Sequence, residues 1–378
     1  MNFLRKKFME YYSNPSIEFP ARFDRREYAF ILFGEGGMRR HISFLSKDDL
    51  LSYLRKNSPA HVYYSSAYYR HPDAGTMREK EWMGADLIFD LDADHIPNAI
   101  QMSYEEMLLE VKKELEKLLS FLMEDFGFEK RHIRLYFSGG RGYHCHVSHP
   151  DVIPLGSQER REIVDYVTAR GLNFKGIVKE KSIPKEYFSD KTLEINPKRG
   201  GWSGRIARGI IEFLREVKKM EREKAIKKLM ELDGIGEKTA SSLYDFLTEE
   251  RIRRIEDGKI DQSTEFKRIA IPLIKKLSVS MQSSTDEPVT GDIKRLIRLP
   301  GSLHGKTGLR VTNVDVDNLH EFNPLRDAVV FGENGIKVVV EKPLSIEMME
   351  NKFKIERGVR EVPEYLAVFL VARGFATA

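Results

Sequence analysis

GADLIFDLDAD, residues 84–94, joins an apolar core to two aspartates that stand two positions apart. The stretch predicts a buried strand from Asp86 to Asp92. Because side chains alternate between the two faces of a strand, Asp90 and Asp92 lie on one face. Carboxylates about 7 Å apart on one face suit a pair of hard divalent cations such as Mg²⁺ or Mn²⁺. The same pattern fits a strand that ends in a solvated acidic turn, so the pair alone leaves both interpretations open.

A glycine-rich turn, SGGRGYH at 138–144, lies between the strand-like segments HIRLYF (132–137) and YHCHV (143–147). Glycine lets backbone N–H groups approach a phosphate closely, and Arg141 and His144 would complement the phosphate charge. The turn lacks the Gly-Lys-Ser/Thr ending of a Walker A loop. Taken alone, the segment is explained as well by a plain hairpin turn with a surface arginine.

A third cluster, TDEPVT at 285–290, is followed by IKRLIRLPGSLHGKTG at 293–308. It adds one more acid, Asp286, together with several basic residues and a histidine beside glycine turns. These are the residue types that a metal and triphosphate site requires. Three clusters with complementary chemistry favour a functional site over three unrelated turns.

The segments FDLDAD, SGGRGYHCHV and IKRLIRLPGSLHGKTGLRV, in this order, resemble the three motifs of the catalytic (small) subunit of archaeo-eukaryotic DNA primase, archaeal type. HVYYSSAYY (61–69) and RREIVDYV (160–167) are also similar to that family. The resemblance covers most of residues 20–205 and 280–345. It implies a template-directed, metal-dependent nucleotidyltransferase that synthesises short primers de novo on single-stranded DNA for replication.

The resemblance also implies roles for individual residues. Asp90, Asp92 and Asp286 match the catalytic aspartates, which would hold two Mg²⁺ or Mn²⁺ ions. The positions that match nucleotide-contacting residues of the family are Ser138, Arg141, His144, Arg298, His304 and Arg40. Asp94, expected in a turn, and Asp292, expected at the surface or at a helix start, are the competing acids. The implied partners are a large primase subunit in a heterodimer, a single-stranded DNA template and NTP or dNTP substrates.

One departure from the family concerns zinc. Many members carry a Cys/His zinc module shortly after the aspartate pair, whereas residues 95–132 contain no cysteine here. A helix is predicted over about 104–126 instead, because Ser103 and Glu106 can form a capping box and apolar residues recur at helical spacing. We therefore expect no structural zinc.

The segment LDGIGEKTA, residues 232–240, resembles the hairpin of a helix-hairpin-helix element. In such an element, backbone amides after the glycines meet a DNA phosphate, which makes Gly234, Gly236 and Lys238 candidate DNA-binding residues. An ordinary connection between two helices, stabilised by two glycines, explains the segment as well.

The order of the elements predicts an α+β fold, and the resemblance makes it a mixed α/β primase catalytic core with an inserted all-helical subdomain. Strand signals stop near 208, so we expect a helical insertion at 208–262 within a discontinuous core of residues 1–207 and 263–378. A hairpin is predicted at 328–340 around the sequence GENG. The apolar helix at 364–374 is expected to pack on the core, with a docking surface as the alternative.

Composition limits the classes of function. The 378 residues are 41% apolar and 32% charged, which is typical of a soluble globular protein. The single cysteine, Cys145, excludes an internal disulfide. No apolar run reaches the roughly 18 residues of a membrane span and the N-terminus lacks a signal-peptide centre, so we expect a cytoplasmic protein without a membrane partner. A net charge of +4 allows phosphate-bearing partners without requiring them.

Two rival functions remain at this point. The first is a repair-type primase-polymerase of the same superfamily, but the wording LIRLPGSLHGKTG favours the replicative subunit. The second is a catalytically inactive DNA-binding subunit, and the presence of all three aspartates argues against it.

Overall fold

The computed structural model describes residues 2–173, 179–184, 189–194, 196–257 and 264–378. By the clustering of its internal contacts the chain forms two compact units. The first unit comprises Met1–Glu116, Phe128–Val164 and Ser284–Ala378, and the second comprises Lys117–Gly127 and Asp165–Ser283.

Helices and strands alternate along most of the described chain. The α-helices are Asn2–Ser13 (α1), Lys47–Asn57 (α2), Met77–Lys80 (α3), Tyr104–Ser120 (α4), Ser157–Val167 (α5), Gly201–Lys219 (α6), Arg222–Met230 (α7), Glu237–Phe246 (α8), Glu249–Glu256 (α9), Thr264–Met281 (α10), Glu287–Gly291 (α11), Pro324–Asp327 (α12) and Glu364–Ala372 (α13). The strands are Tyr28–Ile31 (β1), Met38–Ile42 (β2), His61–Ser65 (β3), Ala67–Tyr69 (β4), Trp82–Ala85 (β5), Leu87–Asp92 (β6), Ile133–Phe137 (β7), Gly142–Val147 (β8), Lys179–Pro184 (β9), Ser189–Glu194 (β10), Leu296–Arg298 (β11), Thr312–Val314 (β12), Gly335–Val340 (β13), Leu344–Met348 (β14), Asn351–Ile355 (β15), Gly358–Pro363 (β16) and Ala376–Thr377 (β17).

Two four-stranded antiparallel sheets form the centre of the first unit. Their strand orders are β11-β3-β1-β2 and β12-β7-β8-β6. Tyr64 of β3, Ile88 of β6 and Ile297 of β11 belong to one buried apolar cluster, so the two sheets share a core. The strand that carries the aspartate pair, β6, lies at the edge of its sheet and pairs with β8 alone.

The antiparallel pairing of β6 and β8 fixes which side chains are neighbours. Asp90 stands opposite His144, and Asp92 stands opposite Gly142. On the other face of β6, Phe89 and Leu91 are fully or almost fully buried. The predicted strand and its alternation of faces are therefore confirmed, and the apolar side of the strand anchors the two carboxylates.

The helix predicted over 104–126 is confirmed as α4 followed by a π-helical turn, Phe121–Asp125. Its capping box is present, because the Ser103 N–H donates to Glu106 Oε2 at 2.7 Å and the Glu106 N–H donates to Ser103 Oγ at 3.1 Å. The apolar C-terminal helix is α13, whose residues from Tyr365 to Leu370 are all almost fully buried. It packs on the core, so the docking-surface alternative is wrong.

The hairpin predicted at 328–340 is wrong. Strand β13 pairs instead with β16 and β17, which follow it in the sequence across the hairpin of β14 and β15. Val338 and Val340 point inward while Lys337 and Val339 are partly or well exposed. The alternation of buried and exposed residues predicts that this segment is a strand. The same alternation would occur whether the strand pairs with a neighbour in the sequence or with a distant segment, so it does not identify the pairing partner.

The second unit is mainly helical and contains α6 to α10 and the β9–β10 hairpin. Its longer segment begins at Asp165, before the start predicted for the insertion, and Trp202 and Arg205 bond to residues of this unit that precede 208. The Trp202 indole donates to the Tyr166 carbonyl at 2.7 Å, and Arg205 Nε donates to Asp125 Oδ2 at 2.8 Å.

The prediction of an α+β fold with an inserted helical region is confirmed. The limits proposed for the domains stay predictions, and the one at 262/263 lies outside the described residues. In the described part of the chain, no helix is both long enough and apolar enough to pass through a bilayer.

Candidate active site

The three aspartates of the sequence motifs meet beside strand β6. Asp286 immediately precedes α11, and its backbone N–H donates to the Asp90 carbonyl at 3.0 Å. The Thr285 hydroxyl donates to the same carbonyl at 3.3 Å, although 195 positions separate the two residues in the sequence. Because β6 is an edge strand, its outer side is open for these bonds. The third carboxylate is thus fixed next to the pair.

The carboxylates are half-buried and repel one another. The side chains of Asp90, Asp92 and Asp286 are 21%, 33% and 24% exposed. Burial and the negative charges of Asp92 and Asp286 raise the pKa of Asp90 to about 7, against the opposing effect of Arg295 and Arg298. The raised pKa shows that nearby positive charges only partly offset the repulsion among the three carboxylates. A divalent cation would relieve this repulsion by binding between them.

Carboxylate oxygens are the ligands that hard divalent cations prefer. Within the described ranges, no group of three His, Cys, Asp or Glu side chains is placed so that it could hold a metal ion by itself. Mg²⁺ commonly binds through one or two carboxylates while water and substrate oxygens supply the other ligands. The three aspartates are suited to that kind of site.

The turn between β7 and β8 lies directly beside the carboxylates. A Cβ atom on Gly142 would stand 2.2 Å from the Leu91 carbonyl oxygen, so only glycine lets β8 approach β6 here. Arg141 Nη2 lies 2.7 Å from Asp94 Oδ1 and 3.5 Å from Asp92 Oδ1. Asp94 itself is exposed, in the turn where the sequence placed it.

Two further residues of the second motif face the same region. Ser138 is buried, and its Oγ accepts a hydrogen bond from the Gly140 N–H at 3.3 Å. His144 Nε2 lies 3.7 Å from Asp90 Oδ1, and no described residue forms a hydrogen bond with its Nδ1. Burial, with help from His146 and Arg298, keeps the pKa of His144 well below its usual value, so the imidazole is neutral.

The third motif closes over the glycine turn. A Cβ atom on Gly139, whose φ is +75°, would lie 2.8 Å from His304 Cβ, and the Thr307 hydroxyl donates to the Gly139 carbonyl at 2.5 Å. His304 is buried, and burial together with the charge of Arg298 keeps its pKa well below the usual value. Arg298, at the end of β11, is close enough to Asp90 and Asp92 for their charges to affect its own pKa, which burial lowers.

One candidate of the first unit is not brought to this cluster. Arg40 lies on β2, the edge strand farthest from β11, and its Nε donates to Glu27 Oε1 at 3.1 Å. Gly234, Gly236 and Lys238 lie in the second unit, in the connection between α7 and α8. Asp292 is exposed at the end of α11, in agreement with the expectation of a surface residue.

A family model of known proteins matches the part of the sequence that contains all three motifs. The family model described as DNA primase small subunit matches residues 89–316, more than half of the chain. The chain belongs to the DNA primase small subunit family.

Relatives within the family are similar over almost their full length. The chain is 46% identical to the DNA primase small subunit PriS of Methanococcoides burtonii, with 99% of this chain and 97% of that protein covered. It is 44% identical to PriS of Methanothrix thermoacetophila, with coverage of 99% and 98%. It is 43% identical to PriS of Methanosarcina acetivorans, with coverage of 99% and 95%. The family predicted from the sequence is confirmed.

Several residues of this primase small subunit contact the candidate site but were missed by sequence reasoning. His61 Nδ1 lies 2.7 Å from Arg298 Nη1, the Arg298 guanidinium stacks on the Tyr63 ring, and His95 Nε2 lies 3.7 Å from Asp286 Oδ2. His61 and Tyr63 stand two apart on β3, which the aromatic pattern of HVYY predicts as a strand, but no local signal connects β3 with β11. Arg298 follows His61 by 237 positions.

Proposed function

We propose that this chain is the catalytic subunit of DNA primase and that it synthesises short primers de novo, template-directed, on single-stranded DNA for replication. The family membership supports the enzyme class. The hydrogen bond from the Asp286 N–H to the Asp90 carbonyl carries the proposal, because it brings the third carboxylate of the motifs to the other two.

Asp90, Asp92 and Asp286 would hold two divalent metal ions, Mg²⁺ or Mn²⁺. When bound, the metals supply Lewis acidity for an in-line displacement at phosphorus. The three carboxylates would hold the positive charge of the metals on one side of β6. Phe89 and Leu91, on the opposite face, keep the strand rigid through their burial.

The residues of the second and third motifs would bind the incoming triphosphate. Arg298 keeps its charge, since guanidinium groups are not deprotonated in proteins. Arg141 would exchange its bond with Asp94 for phosphate oxygens, which accept the bidentate guanidinium equally well. The neutral imidazoles of His144 and His304 would donate hydrogen bonds, as would the Ser138 hydroxyl. Arg40 is proposed as a further nucleotide contact on the resemblance alone, since its guanidinium is bonded to Glu27 in the structure.

The proposal includes partners and conditions. The substrates are NTP or dNTP, the template is single-stranded DNA, and a large primase subunit forms a heterodimer with this chain. We place the reaction in the cytoplasm, and we expect no structural zinc because residues 95–132 contain no cysteine. Metal analysis that found stoichiometric, chelator-resistant zinc would contradict the last point.

A DNA contact by the segment 232–240 is part of the proposal. Gly234 has a φ of +73°, and a Cβ atom on either Gly234 or Gly236 would meet no described residue within 4 Å, which leaves room for a ligand at the turn. Lys238 is exposed in the first turn of α8. Lys238→Gln should weaken binding to single-stranded DNA without sequence preference and reduce its salt dependence. Unchanged binding and salt dependence, compared with exposed Lys224→Gln as the control, would reject this contact.

The test of the main proposal is primer synthesis by the purified chain. Unprimed single-stranded DNA, nucleotides and Mg²⁺ or Mn²⁺ should give short products de novo, and the variant with both Asp90→Ala and Asp92→Ala should give none. Asp151→Asn, at an aspartate whose side chain is 87% exposed, is the matched control and should remain active. Activity on primed templates only would favour the repair-type primase-polymerase. An active double variant would show that the metal site is assigned wrongly.

A further inference from the structure

A polar cavity of about 490 Å³ lies in the first unit, apart from the residues of the candidate active site. It borders the same face of the β12-β7-β8-β6 sheet that carries Asp90, but farther along the strands. The lining includes Arg26, Asp86, Arg134 and His146. Neither the sequence motifs nor the proposed reaction gives this cavity a role.

The strand register shows how the cavity continues from the active site. Side chains of β6, β8 and β7, with the residues that flank them, form three rows across the face. Starting at the active site, the rows are Asp90–His144–Tyr136, Ile88–His146–Arg134 and Asp86–Ser148–His132. Successive rows stand about 7 Å apart along a strand, and the rings of His144 and His146 have centroids 6.2 Å apart. The cavity borders the second and third rows and also contacts Tyr136 of the first.

The two carboxylates of the cavity already have their hydrogen-bond partners. Asp86 Oδ2 accepts from Arg26 at 2.6 Å, and its Oδ1 accepts from the Tyr68 hydroxyl at 2.5 Å and from Ser148 Oγ at 3.1 Å. Glu18 accepts from the Tyr136 hydroxyl at 2.7 Å and from the side chain of Asn313 at 3.0 Å. These acids therefore do not require a cation.

Two buried ring nitrogens of the lining, His146 Nε2 and His132 Nδ1, lack hydrogen-bond partners among the described residues. His146 is only 6% exposed; its Nδ1 lies 3.2 Å from the Tyr64 hydroxyl, while its Nε2 has no hydrogen-bond partner in the described part of the chain. Burial lowers the pKa of His146 to about 4, so the ring is neutral. If Nδ1 accepts the Tyr64 proton, Nε2 carries the remaining one and can donate it. A buried donor without an acceptor is costly unless a ligand satisfies it.

Positive charge stands at the solvent side of the cavity. Arg131 and Arg134 are exposed, and Arg134 forms no ion pair with any residue that the structure describes. A guanidinium recognises phosphate oxygens in a bidentate manner. Phe19, Tyr64 and Tyr136 add aromatic surface to the lining, on which a base can pack. The volume is within the range of small-molecule sites.

We propose that this cavity is a second phosphate-binding site, distinct from the catalytic carboxylates, and that it binds a ligand of mononucleotide size. Arg134 and Arg131 hold the phosphate at the opening, and His146 donates to an acceptor deeper in the cavity. The site goes beyond the proposed reaction and does not depend on it, because none of the residues that hold the ligand is assigned to the metals or to the incoming triphosphate.

The test is calorimetric titration of the full chain with adenosine 5′-monophosphate in the presence of a chelator. Three single variants at exposed or partly exposed arginines are compared. Arg134→Gln should weaken binding about tenfold or more, since it removes a charged hydrogen bond to the phosphate. Arg141→Ala, in the proposed catalytic pocket, and Arg70→Gln, which lies outside the cavity, should leave the affinity unchanged.

Other ligands and outcomes complete the test. Inorganic phosphate should compete with the mononucleotide, and a 5′-phosphorylated oligonucleotide distinguishes a strand end from a free nucleotide as the source of the phosphate. The proposal is overturned by an absence of saturable binding at millimolar ligand, by failure of phosphate to compete, or by loss of binding in Arg141→Ala with retention in Arg134→Gln. The last result would place the binding in the catalytic pocket.

Discussion

His61 connects three parts of the candidate active site through one buried ring. Its Nδ1 lies 2.7 Å from Arg298 Nη1 and accepts from the Gly305 N–H at 3.2 Å, and its ring meets the His304 ring edge-on. Burial, together with the charges of Arg298 and Lys306, lowers its pKa to about 3. The ring therefore stays neutral, and the lone pair on Nδ1 can accept from both the Arg298 guanidinium and the Gly305 N–H. We interpret His61 as a positioning residue for the proposed nucleotide pocket.

This interpretation predicts different effects for two substitutions at position 61. His61→Leu removes the acceptor, so the KM for the nucleotide should rise about tenfold or more while kcat falls less, because Arg298 loses its orientation. His61→Gln offers a carbonyl oxygen to the same donors and should restore much of the affinity. Steady-state primer synthesis at varied nucleotide concentration measures both. Equal losses in the two variants, or a fall in kcat alone, would contradict a positioning role.

Gly142 gives a prediction about packing. In Gly142→Ala the new methyl would collide with the Leu91 carbonyl, and moving β8 away from β6 should cost about 1–3 kcal/mol of unfolding free energy. Urea denaturation measures this loss. Gly36→Ala is the control, because a Cβ atom there would meet nothing within 4 Å; its effect should stay below about 1 kcal/mol. Similar effects at both positions would mean that the strands adjust easily.

At the scale of elements, a buried ion pair joins β6 to the segment before β1. Arg26 is almost fully buried; it donates to Asp86 and to the carbonyls of Ala21, Ser65 and Ser66. Burial alone would raise the pKa of Asp86, but the charge of Arg26 and hydrogen bonds from Tyr68 and Arg26 outweigh it and lower the pKa below 3.8. The ion pair thus holds the base of the strand that carries Asp90 and Asp92.

Asp86→Asn should therefore destabilise the fold by about 3–5 kcal/mol, since it leaves Arg26 buried without its counter-charge. The lowered pKa of Asp86 adds a pH dependence. The stability that ionised Asp86 contributes is present above its pKa in the unfolded chain, near 3.8. This stability is lost as the pH falls through the lower pKa of Asp86 in the folded protein. Denaturation between about pH 2 and 7 should show this acid-induced loss in the wild type. The acid-induced loss of stability should be smaller in Asp86→Asn. In the control variant Asp24→Asn, at an exposed aspartate, it should equal that of the wild type. Identical pH profiles for all three proteins would show that Asp86 is not the group that titrates.

The elements also show what the sequence can and cannot predict. Residues 84–94, 104–126 and 364–374 formed the expected strand and helices, because alternation, capping and helical periodicity are properties of short segments. The partner of β13 could not be predicted, because its pairing depends on which distant edge is available after the chain has folded.

For the site, the order of the motifs identified the family, but it could not show that Asp286 bonds to the Asp90 carbonyl. The contact from His61 to Arg298 was equally invisible, since it joins two strands that are adjacent only in the folded sheet. Both contacts depend on the tertiary structure and not on any local pattern.

At the scale of the whole molecule, the crowded carboxylates predict that metal ions stabilise the fold. A ligand that binds only the folded state at about 100 times its Kd adds about 2.7 kcal/mol. Mg²⁺ or Mn²⁺ should therefore raise the Tm of the wild type and of exposed Asp73→Asn. The variant with both Asp90→Ala and Asp92→Ala should show no such rise, because too few carboxylates remain. Differential scanning calorimetry measures the shifts, and an equal rise in all three proteins would show that the metal binds elsewhere.

The bond between Asp286 and strand β6 also has a consequence for biosynthesis. A ribosome delivers the chain from its N-terminus, so β6, β7 and β8 can pair while the third carboxylate has not yet been made. If the three aspartates hold the metal ions as proposed, the nascent chain would have no complete metal site until Asp286 has emerged and α11 has docked. A partly translated chain would then be unable to synthesise nucleic acid.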